Sequence, residues 1–297
     1  MVTGVQTCAL PISNTWTWLM VLLFLPSIGF ILYLFLGQNL KRKKLFSLKK
    51  EEKENLTSII TKQKEFLSND ALIKTNPFLS KYSDVMKLNL CSDNSFYTNN
   101  NKVTIFTDGK AKFDQLKKSL EEAKTFIHME YYIFQNDNLG RSILEILCRK
   151  ANEGVEVKLL YDGMGCLKVH NDFFAPLIES GGRVSCFFPP FLPYINLRVN
   201  FRNHRKICTV DGKYGFIGGF NIGDEYLGLS KKFGFWRDTH LFIQGDALDA
   251  LQLHFLMDWR FASKENSVFD DKYFPHRPHL GKTGLQIVSR DRKSVVK

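Results

Sequence analysis

The sequence predicts an α/β fold, a layered sheet with helices packed on it, preceded by an N-terminal transmembrane helix. Two observations carry this prediction. Between residues 103 and 217, short apolar runs alternate with amphipathic runs, and that alternation is typical of a sheet covered by helices. Residues 16–37 contain no charged side chain, and an apolar run of that length is about what a bilayer core requires.

The elements follow from periodicity and from turn residues. Gly154 and Gly181 each follow an amphipathic run and are predicted helix C-caps. Asp211-Gly212 separates two apolar runs and predicts a tight turn between strands. The predicted helices cover residues 110–123, 139–152 and 171–180, and the predicted strands cover residues 103–106, 125–134, 155–161, 183–187, 205–210 and 214–217.

The two ends of the chain differ from the rest. Residues 1–13 and 291–297 have no periodicity that continues into their neighbours, and both resemble translated sequencing-adapter DNA. We interpret them as adapter-derived artefacts rather than as ordinary terminal segments, and exclude them from the fold. We therefore expect the natural protein to extend beyond both ends.

Four segments lie between these ends. We predict a transmembrane helix, a basic juxtamembrane and helical connector, a first catalytic half, and a linker that leads into the start of a second half. Their predicted bounds are residues 14–37, 38–95, 96–263 and 264–290.

The apolar segment has the flanks of a membrane anchor. Trp16, Trp18 and Tyr33 lie near its ends, where aromatic side chains favour the membrane interface. A basic run follows at residues 41–50, and the positive-inside rule then places the rest of the chain in the cytoplasm. A cleaved signal peptide would have its basic flank before the apolar run. A buried soluble helix is the remaining alternative.

The amino-acid composition limits the kinds of partner that the protein is expected to bind. The 297 residues carry a net charge of +11, which favours an anionic partner such as nucleic acid, a membrane surface or a phosphorylated substrate. The six cysteines are scattered without a C-x-x-C pair. This argues against a zinc site and favours reduced thiols in a cytosolic compartment.

One motif contains side chains that are suited to reaction with a phosphate group. His204, Lys206 and Asp211 have H-x-K-x4-D spacing, and Asn221 ends a G-G-x-N sequence. Along a strand, side chains repeat every two residues, so the imidazole and the ammonium share a face. An imidazole is a competent nucleophile toward phosphorus, while an ammonium and an amide can hold phosphate oxygens. A surface histidine in a basic strand is the alternative.

Residues 203–226 resemble the first catalytic motif of the phospholipase D superfamily, most closely that of its bacterial cardiolipin synthase branch. The resemblance extends to the stretches at residues 128–134, 161–165 and 236–241. It implies a phospholipase D-like sheet-and-helix domain.

The same resemblance assigns roles to single residues. His204 is implied as the nucleophile, with Lys206 and Asn221 on the phosphate. Asp238 is implied as the carboxylate that orients the histidine. Asp211 belongs to the motif, but we interpret it as an anchor of the strand turn.

Members of this superfamily place two such motifs across a pseudo-twofold axis, with one histidine as nucleophile and the other as acid toward the leaving alcohol. Here the motif occurs once, because none of the other six histidines has a lysine two positions on. The resemblance thus implies that the chain carries the first half and has little activity alone. Gly219 stands where the superfamily often has serine.

The implied function is that of a membrane-bound phosphatidyl transferase of phospholipid biosynthesis. It would form cardiolipin from two phosphatidylglycerol molecules, release glycerol and pass through a phosphatidyl-histidine intermediate. The implied partners are phosphatidylglycerol, anionic membrane lipid and the second catalytic half, at the cytoplasmic side of a bacterial cell membrane. No cofactor, metal or nucleic acid is expected.

Two other functions remain open. A phospholipase D-like nuclease or phosphodiesterase could act as a dimer of single-motif chains, with the positive charge serving DNA. A membrane scaffold without activity is the third hypothesis. The residues also leave the acceptor open among water, glycerol and a second lipid.

Several other charged residues are not assigned to catalysis. Glu130 lies in an apolar run, where a buried carboxylate needs a partner, and it could form a hydrogen bond near the site or a structural pair. Asp162 ends a predicted strand, which suits a site in an α/β fold, but we interpret it, like Glu225, as a helix cap. Arg205, with Arg198 and Arg202, could meet a lipid headgroup phosphate, but is expected on a solvated basic face.

Overall fold

The structure is a computed structural model that describes residues 18–33, 61, 63, 65, 77–167, 169–187, 189, 203–265 and 270–289. Nine strands lie in these residues. In chain order they are β1 (Tyr97–Thr98), β2 (Asn101–Phe106), β3 (Phe126–Tyr131), β4 (Glu156–Asp162), β5 (Arg183–Phe187), β6 (Lys206–Val210), β7 (Tyr214–Gly218), β8 (His240–Gly245) and β9 (Leu285–Gln286).

Seven strands form one mixed sheet in the order β2-β8-β7-β6-β3-β4-β5. The pairs β3–β4 and β4–β5 are parallel, whereas the other four pairs are antiparallel. The carboxyl ends of β3 and β4 therefore meet the start of β6 at one edge, because Tyr131 pairs with both Tyr161 and Lys206. We call this the carboxyl edge of the sheet.

Helices cover both faces of the sheet. Besides the helical residues 18–24, the helices in the described part of the chain are α1 (Pro26–Leu32), α2 (Pro77–Asp93), α3 (Gly109–Glu121), α4 (Asn138–Asn152), α5 (Ala175–Glu179) and α6 (Leu248–Ser263), with 3-10 turns at Asn171–Phe174, Asp224–Leu227 and Asp271–Tyr273. Those that pack on the sheet include α3, α4 and α6. Asp108 and Asp137 cap α3 and α4, since their carboxylates accept the N–H of Ala111 at 2.8 Å and of Gly140 at 3.0 Å.

The core lies on both sides of β3, whose six residues are all buried. Met129 and its alternate neighbours pack with apolar residues of α3 and α4, such as Leu116 and Leu147. Phe126 packs on the opposite face with Phe255 of α6. Burial on both faces explains why apolar or aromatic residues occupy four of its six positions, the exceptions being His128 and Glu130.

Most predicted elements are present, with shifts at their ends. The left-handed C-caps are confirmed, because Gly154 and Gly181 have φ of 88° and 89°. The strand predicted to reach residue 134 ends at Tyr131. The helix predicted at residues 171–180 is a 3-10 turn followed by α5. The sequence patterns assigned no element to β8 or α6.

The N-terminal part of the structure is helical at residues 18–24 and in α1. Within the described residues, no helix has the length and apolar character needed to cross a membrane. The predicted transmembrane helix reaches beyond them at both ends and stays a prediction. Residues 1–13 and 291–297 and most of the connector lie outside the described residues.

The strand predicted to begin at Leu285 exists as β9. It pairs antiparallel with β1, with Tyr97 opposite Gln286. The Gln286 amide also donates to the carbonyls of Met86 at 3.0 Å and Ser95 at 2.8 Å. The last described segment is thereby tied to the end of α2.

Candidate active site

His204 and Lys206 lie together at the carboxyl edge, where β6 begins. The Lys206 ammonium is 3.0 Å from Nδ1 and 3.2 Å from Nε2 of the His204 ring, and it donates to the His204 carbonyl at 2.7 Å. The Tyr132 ring lies 4.6 Å from the imidazole, centroid to centroid. The predicted shared face of the two side chains is confirmed, and His204 as a residue is exposed.

Lys206 has an unusual electrostatic environment. Its side chain is 2% exposed, and this burial lowers its pKa to about 8. The carboxylates of Asp238 and Asp162 act in the opposite direction and favour the charged form. The ammonium is therefore present at neutral pH and is lost as the pH rises through about 8.

Asn221 follows β7 at the same edge and is 5% exposed. Its Oδ1 accepts the N–H of Ile133 at 3.0 Å, and its Nδ2 donates to the Tyr226 hydroxyl at 2.9 Å. These bonds fix the orientation of the amide. An amide nitrogen carries two N–H bonds, so Asn221 can hold Tyr226 with one and a ligand oxygen with the other.

Asp238 lies directly against Gly219. A Cβ atom built on Gly219 would overlap the Asp238 carboxylate. The same carboxylate accepts the Thr239 N–H at 2.7 Å, and the Gly219 N–H donates to the Thr239 carbonyl at 2.9 Å. A side chain at this position would therefore displace the Asp238 carboxylate from where it now lies. The role of Asp238 in orienting His204 stays a prediction.

Asp211 is not brought to the other motif residues. It lies at the opposite end of β6 from His204, about 23 Å away at the usual rise per strand residue. Its carboxylate accepts the backbone N–H groups of Lys124, Thr125 and Phe126, each at 2.8 Å. Asp211 and Gly212 have φ of 52° and 59°, so the predicted tight turn is present. This geometry is that of a turn anchor.

A buried polar cluster supports the residues on either side of His204. The backbone N–H of Asn203 donates to Asp162 at 2.9 Å, and its amide donates to Asp258 at 3.0 Å and also to Glu130. The guanidinium of Arg205 forms an ion pair with Asp258. Burial and the neighbouring Asp258 raise the pKa of Glu130 well above its ordinary value.

Sequence reasoning anticipated part of this buried polar cluster. Glu130 and Asp162 have the buried, partnered environments expected of structural carboxylates. The expectation that Arg205 lies on a solvated face is wrong, because it pairs with an Asp258 side chain that is 3% exposed. Asp258 itself was missed, although a carboxylate within the apolar run of α6 needs a buried partner.

An imidazole, an ammonium and an amide thus lie at one edge of the sheet, on His204, Lys206 and Asn221. As far as the structure describes the chain, no three His, Cys, Asp or Glu side chains converge as a metal site would require.

The chain is similar in sequence to known proteins. Residues 116–258 match the family model described as the phospholipase D-like domain of cardiolipin synthase, and residues 7–38 match one described as a phospholipase D-nuclease N-terminal segment. The second match begins inside the segment assigned to adapter DNA, so that boundary stays a prediction.

Two curated relatives cover most of the chain. A cardiolipin synthase of Staphylococcus aureus is 48% identical over 278 residues, which is 93% of this chain and 56% of that protein. A cardiolipin synthase of Listeria monocytogenes is 46% identical over 278 residues, or 93% of this chain and 58% of that protein. The chain spans a little over half the length of these relatives.

Among solved structures, a phosphatidylserine synthase of Haemophilus influenzae has 17% sequence identity and a TM-score of 0.46. The match covers 66% of this chain and 45% of that chain.

Proposed function

We propose, from the premise that this chain belongs to the cardiolipin synthase branch of the phospholipase D superfamily, that it supplies one catalytic half of a membrane-bound phosphatidyl transferase. The whole enzyme would join two phosphatidylglycerol molecules into cardiolipin and release glycerol. The observation that carries the proposal is the contact between the Lys206 ammonium and the ring of His204, a residue that is exposed.

The first step is attack of a neutral His204 nitrogen on the phosphorus of phosphatidylglycerol. A nitrogen–phosphorus bond forms, and the phosphorus–oxygen bond to the glycerol headgroup breaks. The departing alkoxide takes a proton and leaves as glycerol. An acid from the second catalytic half would supply that proton, as the family's paired motifs imply.

In the second step, the headgroup hydroxyl of another phosphatidylglycerol attacks the same phosphorus. The nitrogen–phosphorus bond breaks, the hydroxyl proton passes to the group that had donated one, and cardiolipin is released. Attack by water at this stage would instead yield phosphatidic acid, so the transferase must favour the lipid hydroxyl.

The other site residues have roles that follow from their geometry. Lys206 offsets negative charge on the non-bridging oxygens, where a cation with little water around it acts most strongly. Asn221 donates to the same oxygens from an amide held by Ile133 and Tyr226. Asp238 would fix the tautomer of His204, following the logic of a catalytic triad.

The proposed setting is the cytoplasmic side of a bacterial membrane. The +11 charge and the basic run at residues 41–50 suit an anionic lipid surface. The predicted transmembrane helix would keep the site close to its lipid substrate.

The test uses two forms of the protein. One is the 297-residue chain, and the other, which we call the joined form, is this chain fused to the part of the Staphylococcus aureus relative that it does not cover. We expect cardiolipin from vesicles containing phosphatidylglycerol with the joined form, and little or none with the chain alone. His204→Ala should abolish the product, while His279→Ala, at another exposed histidine, should not.

Mass spectrometry of the His204 peptide after acid-free quenching should show a phosphatidyl adduct. Undiminished cardiolipin formation by His204→Ala would contradict the proposal. The net charge of +11 also favours a dimeric nuclease as a second candidate. Cleavage of DNA by the chain alone, lost in His204→Ala, would support that candidate instead.

A further inference from the structure

A basic and aromatic loop lies beside the candidate active site. In residues 228–237, the side chains of Leu229, Phe233 and Phe235 are 65%, 48% and 74% exposed. Lys231, Lys232 and Arg237 are exposed in the same segment, which contains no acidic residue. Large apolar side chains that remain exposed so close together mark an interaction surface.

The base of this 228–237 loop is well packed. The Gly234 N–H donates to the Ser230 carbonyl at 2.8 Å, and Gly234 has a φ of 62°. The Trp236 ring packs edge-on against the rings of Tyr226 at 5.0 Å and Phe233 at 5.7 Å. The loop thus presents Phe235 and its neighbours from a fixed base.

The loop is connected directly to the site residues. Tyr226, which supports Trp236, accepts the hydrogen bond from Asn221. The segment ends next to Asp238. Leu167, 52% exposed, follows β4 at the same carboxyl edge and adds a further apolar side chain there.

We propose that the 228–237 loop inserts into the surface of an anionic bilayer and holds the mouth of the active site against it. The aromatic and leucine side chains would lie at the boundary between headgroups and acyl chains, as in interfacial segments. The lysines and the arginine would lie among lipid phosphates. This inference rests on the proposed function, since it assumes a site that takes its substrate from the membrane.

Charge favours a lipid surface as the occupant. The three cations are interspersed with the three exposed apolar side chains within ten residues, so a partner must offer negative charge and apolar contact side by side. A bilayer containing phosphatidylglycerol does so over its whole surface. The position also suits the chemistry, because a lipid phosphorus has to come within bonding distance of His204.

The test follows a tryptophan placed in the loop. The chain carrying Phe235→Trp is reconstituted into vesicles of brominated phosphatidylcholine, with or without an equal amount of phosphatidylglycerol. Subtracting the emission of the unsubstituted chain removes the contribution of the four native tryptophans. We expect bromine quenching of the added residue that is strong with phosphatidylglycerol and weak without it.

Ile178→Trp is the matched control. Ile178 is 56% exposed in α5, which precedes the start of β5 and so lies at the opposite edge of the sheet from His204. Its added tryptophan should stay unquenched in both vesicles. Equal quenching of the two variants would show only that the anchor brings the whole domain near the lipid, and would overturn the proposal.

The charges are tested in the Phe235→Trp background. Lys231→Gln with Lys232→Gln should lower the insertion equilibrium about 30-fold, since each basic residue contributes about fivefold at an anionic surface. Lys118→Gln with Lys124→Gln removes the same charge from exposed positions at the far end of α3 and should change little. Equal effects of the two pairs would contradict a local role of the loop.

The joined form identifies the competing occupant. If its Phe235→Trp residue is shielded from aqueous acrylamide without lipid and unquenched with lipid, the second half covers the loop and the proposal is wrong. Quenching does not require turnover. Quenching with no cardiolipin formed would therefore uphold the membrane contact and contradict the proposed function. Cardiolipin formation without quenching would uphold the proposed function and contradict the membrane contact.

Discussion

Replacing Asp211 by alanine removes the three backbone hydrogen bonds that join the β6–β7 turn to the start of β3. The Lys124 and Thr125 N–H groups are exposed, so water can replace the carboxylate there at a small cost. The Phe126 N–H is partly buried and loses a charge-assisted bond. Alanine also tolerates the positive φ of 52° less well than aspartate does.

Together these losses amount to about 3–5 kcal/mol of unfolding free energy, with the Phe126 bond and the backbone strain as the largest contributions. For a domain of this size, the loss corresponds to a thermal midpoint lower by about 10 °C. Asp211→Asn should cost less, because asparagine accepts the positive φ and keeps one acceptor oxygen.

The assay is thermal unfolding of the chain followed by near-ultraviolet circular dichroism, with Asp114→Ala as an exposed control on α3. In the joined form, the Asp211→Ala fraction that remains folded at low temperature should keep most of its transferase activity. An unchanged midpoint together with lost activity would refute the anchor and would return Asp211 to the catalytic residues.

Three further outcomes are expected of the joined form. Transferase kcat/KM should fall as the pH rises through about 8, because Lys206 then loses its proton. In Lys206→Arg, if it retains activity, this fall should occur at a higher pH. A fall at the same pH in both proteins would show that another group titrates. Gly219→Ser should lower the rate at least tenfold by displacing Asp238, without a matching loss in thermal midpoint. Asp258→Ala should destabilise the protein by about 3 kcal/mol in urea unfolding, since it removes the carboxylate that the buried Asn203 amide and the Arg205 guanidinium share; an unchanged midpoint would contradict this.

Local rules of chain geometry predicted the parts of the site that are close in sequence. His204 and Lys206 share a face because strand side chains repeat every two residues, and the structure places them in contact. Asp211-Gly212 forms a turn because both residues tolerate positive φ. In the same way, Gly154 and Gly181 predict the ends of two helices from local sequence alone, and both have positive φ in the structure.

Long-range packing decided the rest. The approach of Asp238 to Gly219 depends on the pairing of β7 with β8, a strand that the sequence patterns did not predict. The partnership of Asp258 with Asn203 and Arg205 depends on α6 crossing the sheet behind β6. Spacing along the chain carries no information about such contacts, because they form only when distant segments are buried together.

The sequence by itself thus determined that the His204 imidazole and the Lys206 ammonium meet on one face, through residue type and a period of two. Only the tertiary structure showed what the Asp211 carboxylate holds, namely the backbone N–H groups at the start of β3. Asp211 belongs to the motif in sequence, yet the length of β6 carries it to the far end of the sheet. Likewise, the sequence patterns did not predict an interaction surface at the 228–237 loop. The structure shows its apolar side chains exposed beside the candidate site.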